Sequence, residues 1–388
     1  MCLKSTRLAA VLTLPESLDS NALKDHWYSA SGAAVPKRLE AVDDSLNADT
    51  AYRLACAGTA MHWQGDFAQA RQMLRALTRR VSQTVKPQAV PTAMPQAFHA
   101  YRMAQAQRAR ILSMLVLTIA GDYRIALRRA PDVQSALTHA WGPATGKARL
   151  VSLRELLGVL SAYEWQRKGV YLDVGLQEGL TVHPHYGVFS PVRNEYLQLL
   201  AQAPLPSLDL AFDIGTGTGV VAAVLLLRGV KHVVATDNSE RALNCAQDNL
   251  QRLKLADRAT LQLCDVFPQG LAPLIVCNPP WLPGKATSLL EHAIYDPDSR
   301  MLRALIAGVA AHLTPGGEAW LIISDLAEHL NLRTHAQLLQ WIADAGLQVL
   351  GREDIRPSHA KVHDASDALH SARQQELTSL WRLGVRVA

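Results

Sequence analysis

The stretch Asp213-Ile214-Gly215-Thr216-Gly217-Thr218-Gly219 decides the fold, because it joins a predicted strand to a predicted helix. Apolar residues dominate both flanks, at 208–214 and at 219–228. The three alternate glycines let the backbone turn tightly and let a ligand lie against the peptide groups. The helix that follows offers free N–H groups at its N-terminus. The pattern therefore predicts a nucleotide-type ligand outside the carboxyl end of this strand.

The chain from 206 to 388 alternates short apolar runs with amphipathic helices. Strands are predicted at 208–214, 232–236, 260–264, 274–277, 318–324 and 347–352. Helices are predicted at 219–228, 240–253, 299–313 and 334–345. This alternation predicts an α/β fold with a doubly wound, Rossmann-like and mostly parallel sheet.

Residues 1–167 are predicted to form an all-helical N-terminal domain. Apolar residues recur at spacings of three and four over 48–63, which is typical of an amphipathic helix. The apolar run at 111–120 predicts a buried helix, because it is about half as long as a membrane span.

Residues 168–205 are predicted to connect the two domains. Two short strand-like runs, 170–176 and 180–185, flank Gln177-Glu178-Gly179. Such a pair of runs around a turn sequence predicts a β-hairpin.

The composition excludes several classes of protein. With 49% apolar and 19% charged residues over 388 positions, the chain is not of the disordered type. Its five cysteines are odd in number, scattered and without CxxC spacing, so neither a disulfide framework nor a zinc site is indicated. A reducing cytoplasm is the expected compartment. Residues 1–180 hold 22 Lys/Arg against 14 Asp/Glu, which suggests an anionic partner, although a solvated basic surface explains the excess equally simply.

The details of the glycine loop distinguish between cofactors. A dinucleotide fingerprint has its third glycine at position 220, where this chain has Val220. Asp213, just before the loop, repels a pyrophosphate and suits a cofactor with a positive amino group. Asp237 ends the next predicted strand, where an acid accepts hydrogen bonds from ribose hydroxyls. Asp265 ends the third predicted strand and is placed to contact an adenine amino group.

The glycine loop and these three acids resemble the class I S-adenosylmethionine-dependent methyltransferases, and in particular the methyltransferase small domain. The resemblance covers about residues 180–350 and implies S-adenosyl-L-methionine as the cofactor. It implies a cofactor-binding set drawn from the loop and the strand ends. The set comprises Asp213, Gly215, Thr216, Gly217, Gly219, Asp237, Asn238, Asp265, Val266 and Asn278.

The fourth predicted strand ends in Asn278-Pro279-Pro280-Trp281. This motif resembles the Asn-Pro-Pro-aromatic signature of methyltransferases that act on a planar nitrogen, so Asn278, Pro279, Pro280 and Trp281 are the predicted catalytic residues. The Asn278 side-chain oxygen and the Pro279 carbonyl can accept both N–H groups of an amide or exocyclic amine, on which Trp281 can stack. Proline holds these acceptors in place because it fixes φ. Displacement at a sulfonium methyl needs alignment and desolvation, so no metal is expected.

Two groups of methyltransferases resemble this chain, and the sequence leaves the choice open. Glutamine methyltransferases that modify release factors or a ribosomal protein share its general layout. However, the segments at 191–195 and 293–300 depart from their motifs. Ribosomal-RNA guanine-N2 methyltransferases often carry a segment like Gly187-Val188-Phe189-Ser190 ahead of the first strand.

Segments outside these motifs supply further candidates. Residues 282–300 are predicted to form a loop over the active site. The candidate substrate-binding residues are Phe189, Arg193, Asp296 and Arg300. A second group, His359, His363 and His370, lies close together in sequence, and a surface cluster is the expected interpretation.

Together these patterns predict an S-adenosylmethionine-dependent N-methyltransferase that acts on ribosomal RNA or a translation protein, with no membrane partner. The basic N-terminal part is expected to bind the substrate. Two alternatives stay open, namely a non-catalytic S-adenosylmethionine-binding interaction module and a methyltransferase for small molecules. The intact Asn278 motif argues against a decayed site, and a small substrate needs no large extension.

Overall fold

The computed structural model describes residues 20–84, 94–176, 179–191, 193–357, 367 and 369–386. The chain divides into two compact units. The first comprises residues 1–88 and 102–163, and the second comprises residues 89–101 and 164–388.

The first unit is built on a five-stranded sheet with the order β1-β5-β4-β3-β2. The elements from its part of the chain are α1 (Ser20–His26), β1 (Trp27–Tyr28), β2 (Arg38–Val42), α2 (Ala48–Ala57), β3 (Thr59–Trp63), α3 (Phe67–Thr84), α4 (Met94–Leu112), β4 (Leu115–Ile119), α5 (Gln134–Trp141), β5 (Arg149–Ser152) and α6 (Leu153–Lys168). Strands β2, β3 and β4 are parallel, and β5 is antiparallel to β4. Helices α4 and α6 contribute residues to both units.

The prediction of an all-helical N-terminal domain is wrong. The helix predicted over 48–63 ends at Gly58, whose φ of 80° stops it, and β3 follows at once. The buried helix predicted over 111–120 contains β4 instead. All of β3 and nearly all of β4 are buried, so neither strand shows the apolar-polar alternation of a half-buried strand. A short buried strand and a buried helix segment share the same apolar pattern.

The second unit begins with the predicted hairpin and continues as alternating strands and helices. Its elements are β6 (Val170–Leu172), β7 (Leu180–Val182), α7 (Glu195–Gln202), β8 (Leu210–Ile214), α8 (Val220–Leu227), β9 (His232–Asp237), α9 (Glu240–Arg252), β10 (Ala259–Leu263), β11 (Ala272–Cys277), α10 (Arg300–His312), β12 (Leu313–Ser324), α11 (Leu326–His329), α12 (His335–Asp344), β13 (Leu347–Ile355), α13 (His370–Gln375) and β14 (Thr378–Val385). Strands β6 and β7 pair antiparallel, which confirms the hairpin.

The second unit contains a seven-stranded sheet with the order β10-β9-β8-β11-β12-β14-β13. The first five strands in this order, β10, β9, β8, β11 and β12, are parallel, which confirms the predicted doubly wound sheet. Strand order reverses between β8 and β11, so the glycine loop after β8 lies at the point where open α/β sheets bind ligands. The prediction lacked β14, which inserts antiparallel between β12 and β13.

Each face of this sheet has its own apolar core, which explains the residue alternation along the central strands. On one face, Leu274 and Val276 of β11 pack with α7 and α8. On the other face, Ile275 and Cys277 pack with α10 and α12. Helices cover both faces of the sheet. The polar residues at the carboxyl ends of the strands therefore lie outside both apolar cores.

The described residues bear on two sequence expectations, on membrane spans and on disulfides. None of their helices combines the length and apolar character needed to span a membrane. The cysteines among them are free thiols, at Cys56, Cys245, Cys264 and Cys277.

Candidate functional site

The carboxyl ends of neighbouring parallel strands bring the predicted site residues to one edge of the sheet. Ile214, the last residue of β8, pairs with Thr236 of β9 and with Cys277 of β11. Asp237, at the end of β9, pairs with Leu263 at the end of β10. The loops that follow these strands are therefore neighbours in space, as the alternating pattern predicted.

The glycine loop has a backbone that glycine adopts without strain. The φ angles are 72° at Gly215, 56° at Gly217 and 79° at Gly219, all in the left-handed region. A Cβ atom at Gly219 would lie 3.1 Å from Ala246 of α9, so this glycine permits close helix packing. A Cβ atom at Gly217 would meet no atom within 4 Å. The middle of the loop therefore borders open space in which a ligand can approach the backbone.

Asp213 lies buried near the end of β8, directly beneath the loop. Its Oδ2 accepts hydrogen bonds from the Thr216 hydroxyl at 2.7 Å and from the Ala222 N–H at 3.0 Å. Burial raises the pKa of Asp213 to about 7; the two hydrogen bonds oppose this rise, and the Asp237 carboxylate adds to it. A carboxylate with so little access to water gains strongly from a cationic partner.

Asp237 holds the glycine loop in position. Its Oδ2 accepts a hydrogen bond from the Gly217 N–H at 3.1 Å, and its Oδ1 accepts one from the Ser239 N–H at 3.0 Å. Burial raises the pKa of Asp237, and these backbone N–H groups oppose the rise. Asn238, the next residue, is exposed beside it. The Asp237 carboxylate is thus fixed against the middle glycine of the loop.

Asp265 and Val266 follow β10 and have different surroundings. The exposed Asp265 carboxylate accepts hydrogen bonds from Arg300 Nη1 at 2.9 Å and Nη2 at 3.2 Å, and this bonding lowers its pKa. Val266 is buried with a φ of 83°, a conformation that is costly for a β-branched residue. The Thr236 hydroxyl donates to its carbonyl at 2.8 Å. Backbone strain of this kind is concentrated at functional sites.

Asn278 follows β11, and its side-chain oxygen is held by Trp281. Its Oδ1 accepts the Trp281 indole N–H at 2.9 Å, across the buried Pro279 and the half-buried Pro280. The buried Tyr196 of α7, which sequence reasoning missed, is an electrostatic neighbour of both sides of the site. Burial raises the pKa of the Tyr196 hydroxyl, the nearby Asp213 charge raises it further, and the Asn278 amide opposes the rise.

Arg193, a predicted substrate residue, packs against Trp281. Its guanidinium carbon lies 5.3 Å from the centre of the Trp281 ring, within cation–π range. Its Nη2 donates to Glu376 Oε1 at 3.0 Å, and the Ser324 hydroxyl donates to the same oxygen at 2.7 Å. Glu376 is buried, and Ser324 ends β12, so this network fixes Arg193 beside the ring. Glu376 escaped prediction because it directly precedes the unpredicted strand β14.

The remaining predicted residues lie in varied settings. Phe189 is exposed, in a segment whose Gly187 packs closely against Leu289 of the 282–300 loop. Asp296 is buried, and its two carboxylate oxygens accept the Met301 N–H at 3.1 Å and the Leu302 N–H at 3.2 Å. Asp296 therefore caps the first turn of α10, and a substrate contact of Asp296 stays a prediction.

Two further features lie away from the convergent residues. His359 and His363 fall outside the described residues, so the expected histidine cluster has no structural description beyond His370. A groove of about 770 Å³ between α10 and α12 shares only Arg300 with the predicted sets. It lies along the helices rather than at the carboxyl ends of the strands, where ligands of open α/β sheets bind.

Comparison with known proteins identifies the domain that carries this site. Residues 179–343 match the family model described as methyltransferase small domain. Over these residues the chain is similar to that family. The match includes the glycine loop, the acids that end β9 and follow β10, and the Asn278 motif. S-adenosyl-L-methionine is the cofactor of the domain, as the sequence predicted.

Relatives of this chain act on several kinds of macromolecule. The chain is 36% identical over 146 residues to the release factor glutamine methyltransferase of Cereibacter sphaeroides, covering 34% of this chain and 52% of that protein. It is 25% identical to the tRNA1(Val) (adenine(37)-N6)-methyltransferase of Shewanella sediminis, covering 45% of this chain and 74% of that protein. It is 31% identical to the ribosomal protein L11 methyltransferase of Sorangium cellulosum, covering 30% of this chain and 31% of that protein. The chain thus spans about half the length of the glutamine methyltransferase that it matches.

Proposed function

We propose that this chain is an S-adenosylmethionine-dependent N-methyltransferase that modifies a planar nitrogen of a macromolecule of translation, either ribosomal RNA or a protein. The observation that carries the proposal is the Asn278 amide, which the Trp281 indole N–H fixes at the carboxyl end of β11, beside the end of β8 that carries the buried Asp213. Relatives that act on a release factor, a tRNA and a ribosomal protein support a target in translation. We also propose a cytoplasmic location, because translation components are modified there.

The residues of the glycine loop suit S-adenosylmethionine. The open space at Gly217 accommodates a ligand against the backbone, and an acid lies on each side of it. The Asp213 carboxylate would pair with the amino group of the cofactor, and the Asp237 carboxylate would accept hydrogen bonds from the ribose. When bound, the cofactor supplies an electrophilic methyl group on a sulfonium sulfur and leaves as a neutral thioether.

The Asn278 motif suits the methyl acceptor. Asn278 Oδ1 has two lone pairs, of which Trp281 uses one, so the other can accept an N–H from the acceptor. The Pro279 carbonyl would accept the second N–H. Arg193 lies over the Trp281 ring, so the acceptor would reach the part of this half-buried ring that remains exposed. Alignment of this kind accelerates a direct displacement, because the nitrogen is held in line with the methyl group before reaction. The displaced proton leaves from the newly methylated nitrogen.

The two alternative functions, a binding module and a small-molecule methyltransferase, would not require all the parts that this chain has. An interaction module that merely binds S-adenosylmethionine needs the glycine loop but has no use for an Asn278 amide oriented by the Trp281 indole. A small-molecule enzyme needs neither the first unit nor its five-stranded sheet. Both remain outcomes of the test below.

The proposal is tested by methyl transfer from labelled S-adenosylmethionine into a lysate that lacks this protein's own activity. The purified chain is added, and the products are divided between ribonuclease and protease digestion. Label that is removed by either treatment supports a macromolecular N-methyltransferase and identifies the acceptor. Bound cofactor without any incorporated label contradicts the proposal and favours a binding module or a small-molecule substrate.

A further inference from the structure

The positive charge of the chain is concentrated in one segment. Residues 67–121 contain eight Lys/Arg and no Asp/Glu, whereas the rest of the chain holds 31 Lys/Arg against 34 Asp/Glu. This segment supplies all of α3 and α4. The basic excess of the N-terminal part is therefore a local feature, and it lies on helices whose orientation the structure gives.

Three arginines of α3 form a line on its outer side. Arg71, Arg75 and Arg79 are exposed and lie four residues apart, which spaces them about 6 Å along the helix. The opposite side of α3 is buried through Phe67, Ala70, Met73, Leu74, Leu77 and Val81. Like charges at this spacing destabilise a helix, and in the described residues none of the three arginines has an acidic partner. An external anion would remove this repulsion.

Helix α4 extends the same surface. Arg108 Nη1 donates to the Ser82 hydroxyl at 2.6 Å, and Ser82 lies on the arginine side of α3, three residues after Arg79. Arg80, on another side of α3, already pairs with Asp49 at 2.9 Å. We define the arginine face as Arg71, Arg75, Arg79 and Arg108.

We infer that the arginine face binds the phosphate backbone of RNA and holds the RNA on the chain that carries the methyl-transfer site. This inference rests on the proposed function. Guanidinium groups bind phosphate through paired N–H donors, and phosphate contacts need no apolar anchor. A protein partner needs buried aromatic or aliphatic anchors; among the described residues α3 exposes no large hydrophobic side chain, and α4 exposes one, Met103.

The test measures RNA binding without methyl transfer. Fluorescence anisotropy with a fluorescein-labelled 20-nucleotide single-stranded RNA of mixed sequence is recorded from 50 to 300 mM KCl. The test variant is Arg71→Gln, Arg75→Gln and Arg79→Gln in one chain. The matched control is Arg38→Gln, Arg124→Gln and Lys147→Gln, which removes three exposed cations from other elements of the same unit. Far-UV circular dichroism and the midpoint of thermal unfolding confirm that the first unit of each variant is folded, since the cofactor site lies in the second unit.

For single-stranded RNA, the slope of log affinity against log salt concentration becomes shallower by about 0.7 for each phosphate contact that is removed. The test variant is therefore expected to lower the slope by about 2 and to weaken binding roughly 50-fold near 0.15 M salt. The control variant is expected to retain the wild-type slope.

The inference is overturned if both variants lose RNA affinity equally, or if the test variant keeps the wild-type affinity and salt slope. It is also overturned if polyglutamate of matched charge competes as well as unlabelled RNA, because that result indicates an acidic protein partner. None of them affects the labelled-methyl assay, so this inference and the proposed function fail separately.

Discussion

The substitution Asp213→Asn removes a buried carboxylate whose ionisation costs the folded protein free energy. Burial raises the pKa of Asp213 from 3.8 to about 7. At about 1.4 kcal/mol per pH unit, this rise corresponds to about 4 kcal/mol. The unfolded chain releases the proton near pH 4 and the folded chain near pH 7. The carboxylate therefore lowers stability progressively between these two values, and its full cost applies above pH 7.

The asparagine variant keeps an oxygen that can accept the Thr216 and Ala222 hydrogen bonds, but it does not titrate. We expect it to match wild type near pH 4 and to exceed its free energy of unfolding by about 2–4 kcal/mol at pH 8. We also expect its Kd for S-adenosylmethionine to rise about 10- to 100-fold, because a charged hydrogen bond is worth about 1.5–3 kcal/mol. Stability and binding are thus predicted to change in opposite directions.

Urea unfolding at several pH values and calorimetric titration with the cofactor measure the two effects. The matched control is Asp209→Asn, since Asp209 is an exposed acid paired with Lys231 at 2.6 Å. It should alter neither the pH dependence nor the cofactor Kd. If the curves of stability against pH run parallel for Asp213→Asn and wild type, or if the cofactor Kd is unchanged, the role of Asp213 is refuted.

The other substitutions separate the parts of the site. Asp237→Ala should raise the cofactor Kd about 10- to 100-fold by calorimetry, because it removes a charged acceptor and frees the Gly217 N–H; an unaltered Kd contradicts the ribose role. Trp281→Phe keeps an aromatic ring but loses the indole N–H, so kcat should fall about fivefold, the equivalent of one hydrogen bond, while the cofactor Kd stays constant. An unchanged kcat means that Trp281 does not orient Asn278. Gly219→Ala should lower the free energy of unfolding by about 1–3 kcal/mol in urea, because its φ of 79° and the Ala246 contact both oppose a Cβ atom; full stability argues against this packing.

The second unit was largely predictable because its sequence carries local signals for each element. The alternate glycines after β8 and the proline pair after Asn278 mark strand ends directly. Strand β14 escaped prediction because its place in the sheet depends on distant strands. It inserts between β12 and β13, and the sequence of β14 alone does not indicate which strands it pairs with.

The first unit was less predictable for a physical reason. In β3 both faces are buried, so its apolar run carries no period that separates strand from helix. The single clear signal was Gly58, which ends α2 in the left-handed conformation.

The site shows the same division between local and distant information. Asp213, Asp237 and Asn278 lie at strand ends; the two acids are predicted from their spacing, and the role of Asn278 follows from the resemblance of its motif. Tyr196 lies on a helix, and Glu376 is almost one hundred residues beyond Asn278 in the chain. Only the fold brings these two residues to the site, so no short sequence motif predicts their place in it.

Asn278 is proposed to bind the methyl acceptor, so that its predicted place in the cofactor-binding set contributes little to cofactor affinity. The comparison of Asn278→Ala with wild type uses two assays, calorimetric binding of S-adenosylmethionine and transfer of its labelled methyl group into the lysate fraction that accepts it. We expect a cofactor Kd within about twofold of wild type and transfer reduced about 10²- to 10³-fold, as for the loss of one preorganised polar group. Transfer at the wild-type rate, or loss of cofactor binding in parallel with transfer, would contradict this role of Asn278.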